Sequence, residues 1–127
     1  MTHEKFASEA ENLWGTTVAY EQSQQRLRHY TPEDIELSKK HAQEAVDLFL
    51  EAMRGDLPPD SELARQAAEL HRSVITRWWY DCSYEMQANL AGMYVADSRF
   101  AENYNSQQQG LAQYIHDAIL ANAIEHL

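Results

Sequence analysis

The chain has one cysteine, four glycines and three prolines in 127 residues, and each scarcity removes a class of structure. A lone thiol makes no internal disulfide, so the fold rests on a packed core, for which this length suffices. So little glycine and proline, with few runs of valine, isoleucine and threonine, leaves an extended sheet without its turns and strands. Basic residues are also short: ten Lys and Arg against twenty Asp and Glu give a net charge of −10, which repels phosphate backbones and anionic membranes. No apolar run approaches membrane-spanning length and no charged leader precedes an apolar segment, so a soluble, cytoplasmic chain is expected. Cys-x-x-Cys, His-Glu-x-x-His and lysine-bearing phosphate-loop motifs are all missing. His29, His41, His71, His116 and His126 show no paired ligand spacing, so neither metal nor cofactor is expected.

What is present has helical spacing. Thr31-Pro32-Glu33-Asp34 combines a capping hydroxyl, a proline suited to the first helical position and two acids at the positive helix end. A long helix should run from Pro32 to near Gly55, with Ile35, Ala42, Val46, Phe49 and Met53 on its core face. Leu57 to Ser61 forms a rigid loop, after which Leu63, Ala67, Leu70, Val74 and Trp78 mark a second, antiparallel helix. The chain breaks at residues 81–83 and resumes as a shorter helix carrying Met86, Leu90, Met93 and Tyr94. Asp97 should cap a brief helix with Phe100 and Tyr104, and Leu111, Tyr114, Ile115, Ala118 and Ile119 define a closing one. Residues 1–30 are more polar, with Tyr20 and Leu27 marking one short amphipathic helix and Phe6, Leu13 and Trp14 spaced between acids.

The span from Trp78 to Phe100 concentrates two of the three tryptophans, three of the seven tyrosines and the cysteine. Aromatic rings give large contact area at small entropic cost, which makes this block the candidate binding surface. Consecutive Trp78 and Trp79 point about 100° apart on a helix, so one belongs to the core and the other to a cleft; Trp78 continues the stripe of Leu70 and Val74. Met86 and Met93 sit at core spacing, yet thioethers also suit an adaptable pocket. Cys82 is either an inert packed thiol or a reactive one, since a helix starting near Ser83 favours thiolate while Asp81 opposes it. Asp81 and Glu85, one turn apart, read as capping and first-turn charges rather than as an acid pair, so no catalytic residue is assigned and no enzyme is expected.

Tyr20-x-x-Ser23-x-x-Arg26-x-x-x-Tyr30-Thr31, His71-Arg72, Trp78-Trp79-Tyr80-Asp81-Cys82-Ser83, Glu85-Met86, Met93-Tyr94-Val95-Ala96-Asp97, Arg99-Phe100 and Ala118 to Ala123 together resemble the TipAS antibiotic-recognition domain. The resemblance implies a globin-like helical bundle of about five to seven helices without haem. It also implies a deep cleft for thiopeptides and other bulky, aromatic, peptide-derived antibiotics, commonly fused behind a MerR-type DNA-binding module. This chain then acts as a free-standing drug-sequestering resistance protein or as the sensor of such a regulator. The expected ligand-binding residues are Trp14, Tyr20, Trp79, Tyr80, Asp81, Cys82, Tyr84, Met86, Met93, Tyr94 and Phe100. Thiopeptides carry dehydroalanines, which makes Cys82 the candidate for covalent attachment. Residues 1–30 are expected to order on ligand binding over a core of residues 31–127. Two positions depart from the family pattern, Gln87 in place of histidine and Ser98 in place of proline, and both bear on ligand identity. The expected state is a monomer without direct nucleic-acid or membrane contact; the competing reading is an acidic helical protein-interaction module.

Overall fold

The structure is a computed structural model that describes residues 18–126. Within that span the fold is all-α, with six helices: α1 Val18–Leu27, α2 Pro32–Arg54, α3 Glu62–Trp78, α4 Tyr84–Ala96, α5 Ser98–Asn105 and α6 Leu111–Glu125. Local chemistry sets the boundaries. Thr31 forms a full capping box: its hydroxyl accepts from the Asp34 amide at 3.1 Å and its own amide donates to the Asp34 carboxylate at 3.0 Å. Ser61, Ser83 and Asp97 each accept a first-turn amide at the starts of α3, α4 and α5. α6 is capped differently. Gly110 precedes it at φ 86°, a left-handed conformation that glycine adopts without a side-chain clash. The Asn105 side chain, at the end of α5, accepts the Ala112 amide at 3.0 Å.

α2 and α3 form an antiparallel pair against which α6 packs, and α4 contacts α6 from the other side. Their core joins Phe49, Leu111, Ile115 and Ile119 to a series of buried alanines at 45, 52, 64, 67, 68, 91 and 118. The alanines bring helix axes close, and the large side chains fill the space between them. Trp78 is 1% exposed; its indole N–H donates to His41 Nδ1 at 2.9 Å, and the Tyr30 ring meets it edge-on at 5.4 Å.

Two stripes differ from the sequence reading. Ala42 is exposed rather than in the core. On α4, Met86, Leu90, Met93 and Tyr94 are only partly buried, while Gln87 and Ala91 are fully enclosed. For Ala42, Leu90, Met93 and Tyr94 the physical reason is shared: α2 and α4 each turn part of their apolar face to a cleft instead of to the core, whereas Met86 packs against a small cluster around Cys82.

Candidate functional site

The cleft forms because α3 ends early. After Trp78 the chain turns through residues 79–83, and the last turns of α3 hold that turn in place. The amides of Trp79 and Tyr80 both donate to the Ile75 carbonyl, the Cys82 amide to the Thr76 hydroxyl at 3.1 Å, and Arg72 Nη1 to the Cys82 carbonyl at 2.9 Å. α4 and α5 therefore stand off from α2, and the gap between them is a cavity of about 830 Å³. That is the size range of small-molecule sites, about 300–1,000 Å³.

Its walls are aromatic and aliphatic. Trp79 and Tyr80 come from the turn, Leu90, Met93 and Tyr94 from α4, Phe100 and Tyr104 from α5, and Val46, Val74 and Ile75 from the core helices. Tyr94 sits at the centre of the aromatic group, with ring centroids 6.0 Å from Phe100 and 5.2 Å from Tyr104. Polar groups gather around the rest of the lining: Lys39 and Gln43 from α2, Asp97, Arg99, Asn103 and Gln107 from α5 and its flanks, and Ser23 from α1. Gln43 donates to the Gln107 side chain at 2.8 Å, linking α2 to the α5–α6 turn. Arg99 grips Asp97 with its backbone and side chain, and these bonds hold the Asp97 carboxyl below the usual range.

His71 is the buried polar group of the lining, 8% exposed. Its Nε2 lies 3.2 Å from the Tyr94 hydroxyl and its Nδ1 2.9 Å from Gln87 Nε2. Burial pushes its pKa down from 6.5 to about 4, so the ring is neutral at physiological pH. Desolvation likewise raises the Tyr94 and Tyr104 hydroxyls, and interaction between the two adds to the shift of Tyr94.

Of the expected site residues, Trp79, Tyr80, Met93, Tyr94 and Phe100 line this cleft. The others stand elsewhere. Tyr20, half-buried on α1, borders a separate shallow depression with Glu21, Gln24, Gln25 and Arg28. Asp81 is clasped from outside by Arg26 at 3.1 Å and by Gln22. Cys82 is 2% exposed in a small cluster with Ala19 and Tyr80, against which Met86 packs. Burial pushes its thiol up to about 11, against the lowering that a helix start favours. Tyr84 belongs to a polar cluster beyond the cleft lining: its hydroxyl donates to Glu69, Arg72 lies over its ring and His126 stacks on it at 4.3 Å. Trp14 lies outside the described residues.

Beyond the expected site residues the cleft also draws on α2, on α5 and on the turn after it: Lys39, Ala42, Gln43, Asn103, Tyr104 and Gln107, of which the sequence places Ala42 and Tyr104 only on helices, without a role in binding. The available signal was the stripe containing Ala42 and Val46, which reads equally as core or as cleft wall. Among the described residues no group of three or more His, Cys, Asp or Glu side chains gathers to hold a metal, and no helix is long and apolar enough to cross a membrane.

A helical bundle with a preformed, aromatic-walled cleft of this size is a ligand-binding domain. The chain belongs to the TipAS antibiotic-recognition domain family, whose model matches residues 6–122. It is 44% identical over 123 residues to the HTH-type transcriptional activator TipA of Streptomyces lividans and, equally, of Streptomyces coelicolor, covering 97% of this chain and 49% of those proteins. The HTH-type transcriptional activator mta of Bacillus subtilis is 26% identical over 115 residues, covering 91% of this chain and 44% of that protein. The chain thus spans about half the length of these relatives. Among solved structures, the nosiheptide complex of TipAS from Streptomyces lividans superposes with a TM-score of 0.88 at 44% identity, covering 97% of this chain and 86% of that one. The antibiotic-binding domain of a TipA-class multidrug resistance regulator superposes with a TM-score of 0.65 at 47% identity, covering 70% of this chain and 95% of that one.

Proposed function

We propose that this chain binds thiopeptide antibiotics, and other bulky aromatic peptide-derived compounds, between Trp79 and Tyr80 on one side and Met93, Tyr94 and Phe100 on the other. The observation that carries this reading is the 830 Å³ aromatic-walled cleft, in a chain 44% identical to a TipAS whose structure is solved in complex with nosiheptide. Ring faces on the walls match the flat heterocycles of such ligands, and the side-chain amides of Gln43, Asn103 and Gln107 match their peptide groups. No catalytic group enters this account; the chain binds and does not turn its ligand over. The proposed unit is a monomer in the cytoplasm.

Ser23 places α1 at the cleft. Because α1 is already helical and the segment is tied to α3 through Arg26 and Tyr30, the expected ordering of residues 1–30 becomes, in this proposal, a tightening of the segment over bound drug, favoured by aromatic burial. In a longer regulator that closure is the signal passed to the DNA-binding part; in a free chain it slows drug escape. Covalent capture at Cys82 is a later step. The thiol must first be uncovered by opening of the 79–83 turn, after which its sulfur adds to the dehydroalanine β-carbon and a proton goes to the α-carbon. Asp81, Tyr84 and Met86 then support that turn, and Tyr20 and Trp14 act from the closing segment.

Tryptophan fluorescence titration with nosiheptide and with unrelated aromatic antibiotics tests the reading. A saturable change with the thiopeptide is expected; none with any compound overturns it.

A further inference from the structure

The hydrogen bonds beneath the cleft have a direction, and one glutamine sets it. Gln87, fully buried on α4, places its side-chain nitrogen 2.8 Å from the Ala68 carbonyl and 2.9 Å from His71 Nδ1. The Ala68 carbonyl only accepts, so the nitrogen and not the oxygen of the amide must face it. That nitrogen carries two hydrogens: one goes to Ala68 and the other to His71 Nδ1. His71 Nδ1 is therefore an acceptor, and the ring proton sits on Nε2, 3.2 Å from the Tyr94 hydroxyl. The flipped amide would set two acceptors 2.8 Å apart in a buried site, which costs more than the Gln87 oxygen left without a partner. Tyr94 accepts from His71, so its own proton turns away from His71, on the cleft wall where its ring meets that of Tyr104 at 5.2 Å between centroids.

We propose that Gln87 and His71 are positioning residues that fix the Tyr94–Tyr104 pair as a hydrogen-bond donor facing the cleft, selecting ligands that present an acceptor there, such as an azole nitrogen or an amide carbonyl. This rests on the drug-binding reading and specifies which polar group on the ligand the cleft reads. A side chain at position 87 that demanded a proton from His71 would reverse the relay and select against such an acceptor.

Two measurements test it. Nitrogen NMR of the imidazole in the free protein, with His71→Gln for assignment, should show His71 as the Nε2–H tautomer; the Nδ1–H tautomer overturns the relay without reference to any ligand. Calorimetric titration with nosiheptide should then show Tyr104→Phe weakened about fivefold to tenfold, with Tyr94→Phe similar and the double variant no weaker than either single one. Singles that bind within about twofold of the parent, or losses that add in the double variant, overturn the relay while leaving drug binding intact. Failure of the parent chain to bind nosiheptide instead removes the drug-binding reading and the selectivity inference with it, whatever the tautomer.

Discussion

Lowering the pH from 7 to 4 should expose the cost of keeping His71 neutral. The imidazole is 8% exposed, faces Phe49, Tyr94 and Gln87, and has its pKa lowered from 6.5 to about 4 by burial. Between these values the unfolded chain binds a proton that the folded chain refuses, so stability rises with pH across the window. The stability is full above pH 6.5 and is lost as the pH falls towards 4. A displacement of that size is worth about 3 kcal/mol, a large share of the 5–15 kcal/mol typical of a whole domain at about this size. Urea unfolding followed by circular dichroism at pH 7, 5.5 and 4 measures it, with His71→Gln as the reference that lacks the titrating ring but keeps every carboxylate and every other histidine. The parent should lose about 3 kcal/mol more than the variant between pH 7 and 4. Parallel losses in the two proteins would refute the assignment of a buried neutral histidine.

Other perturbations follow from the same geometry. Gly110→Ala places a Cβ 3.4 Å from Met53 at φ +86° and should cost about 1–2 kcal/mol in the same urea assay; an unchanged midpoint contradicts the left-handed cap. Cys82 in the native protein should react with a disulfide reagent at pH 8 about a hundredfold more slowly than in urea, because its thiol is buried and has a raised pKa; equal rates would mean that the turn is open. Arg26→Ala removes the ion pair to Asp81 and the 2.6 Å bond to the Thr76 carbonyl. Because the pair is exposed, global stability should change by less than about 1 kcal/mol, while amide exchange in α1 alone accelerates. Acceleration spread equally over α3 and α6 would contradict a locally tethered α1.

The helix set was legible because its signals are local. Thr31-Pro32 with Asp34, Ser61, Ser83 and Asp97 are caps that work through bonds spanning two to three residues, and the stripe of α6 is buried as its spacing requires. The division of Trp78 and Trp79 between core and cleft is the one that helical spacing suggests, although Trp79 stands in the turn just after α3 and not within it. The cleft was only half legible. Its aromatic wall lies in one sequence block, but its other wall comes from α2, some forty residues earlier in the chain, and α2 shows one amphipathic stripe whether it faces core or cavity. Gln87 carried no hydrophobic signal, and its role depends on Ala68 and His71 from another helix. The burial of Cys82 also depends on distant residues, since Ala19 reaches it from α1.

The most direct test of ligand binding in this cleft is to fill it. Ala42 is exposed on the cleft wall, so Ala42→Trp should leave the melting temperature near that of the parent while occupying the ligand's space. Calorimetric titration with nosiheptide is predicted to give saturable binding to the parent and a loss of at least about a hundredfold in the variant. Equal binding by both proteins would place the ligand elsewhere on the molecule and contradict the account.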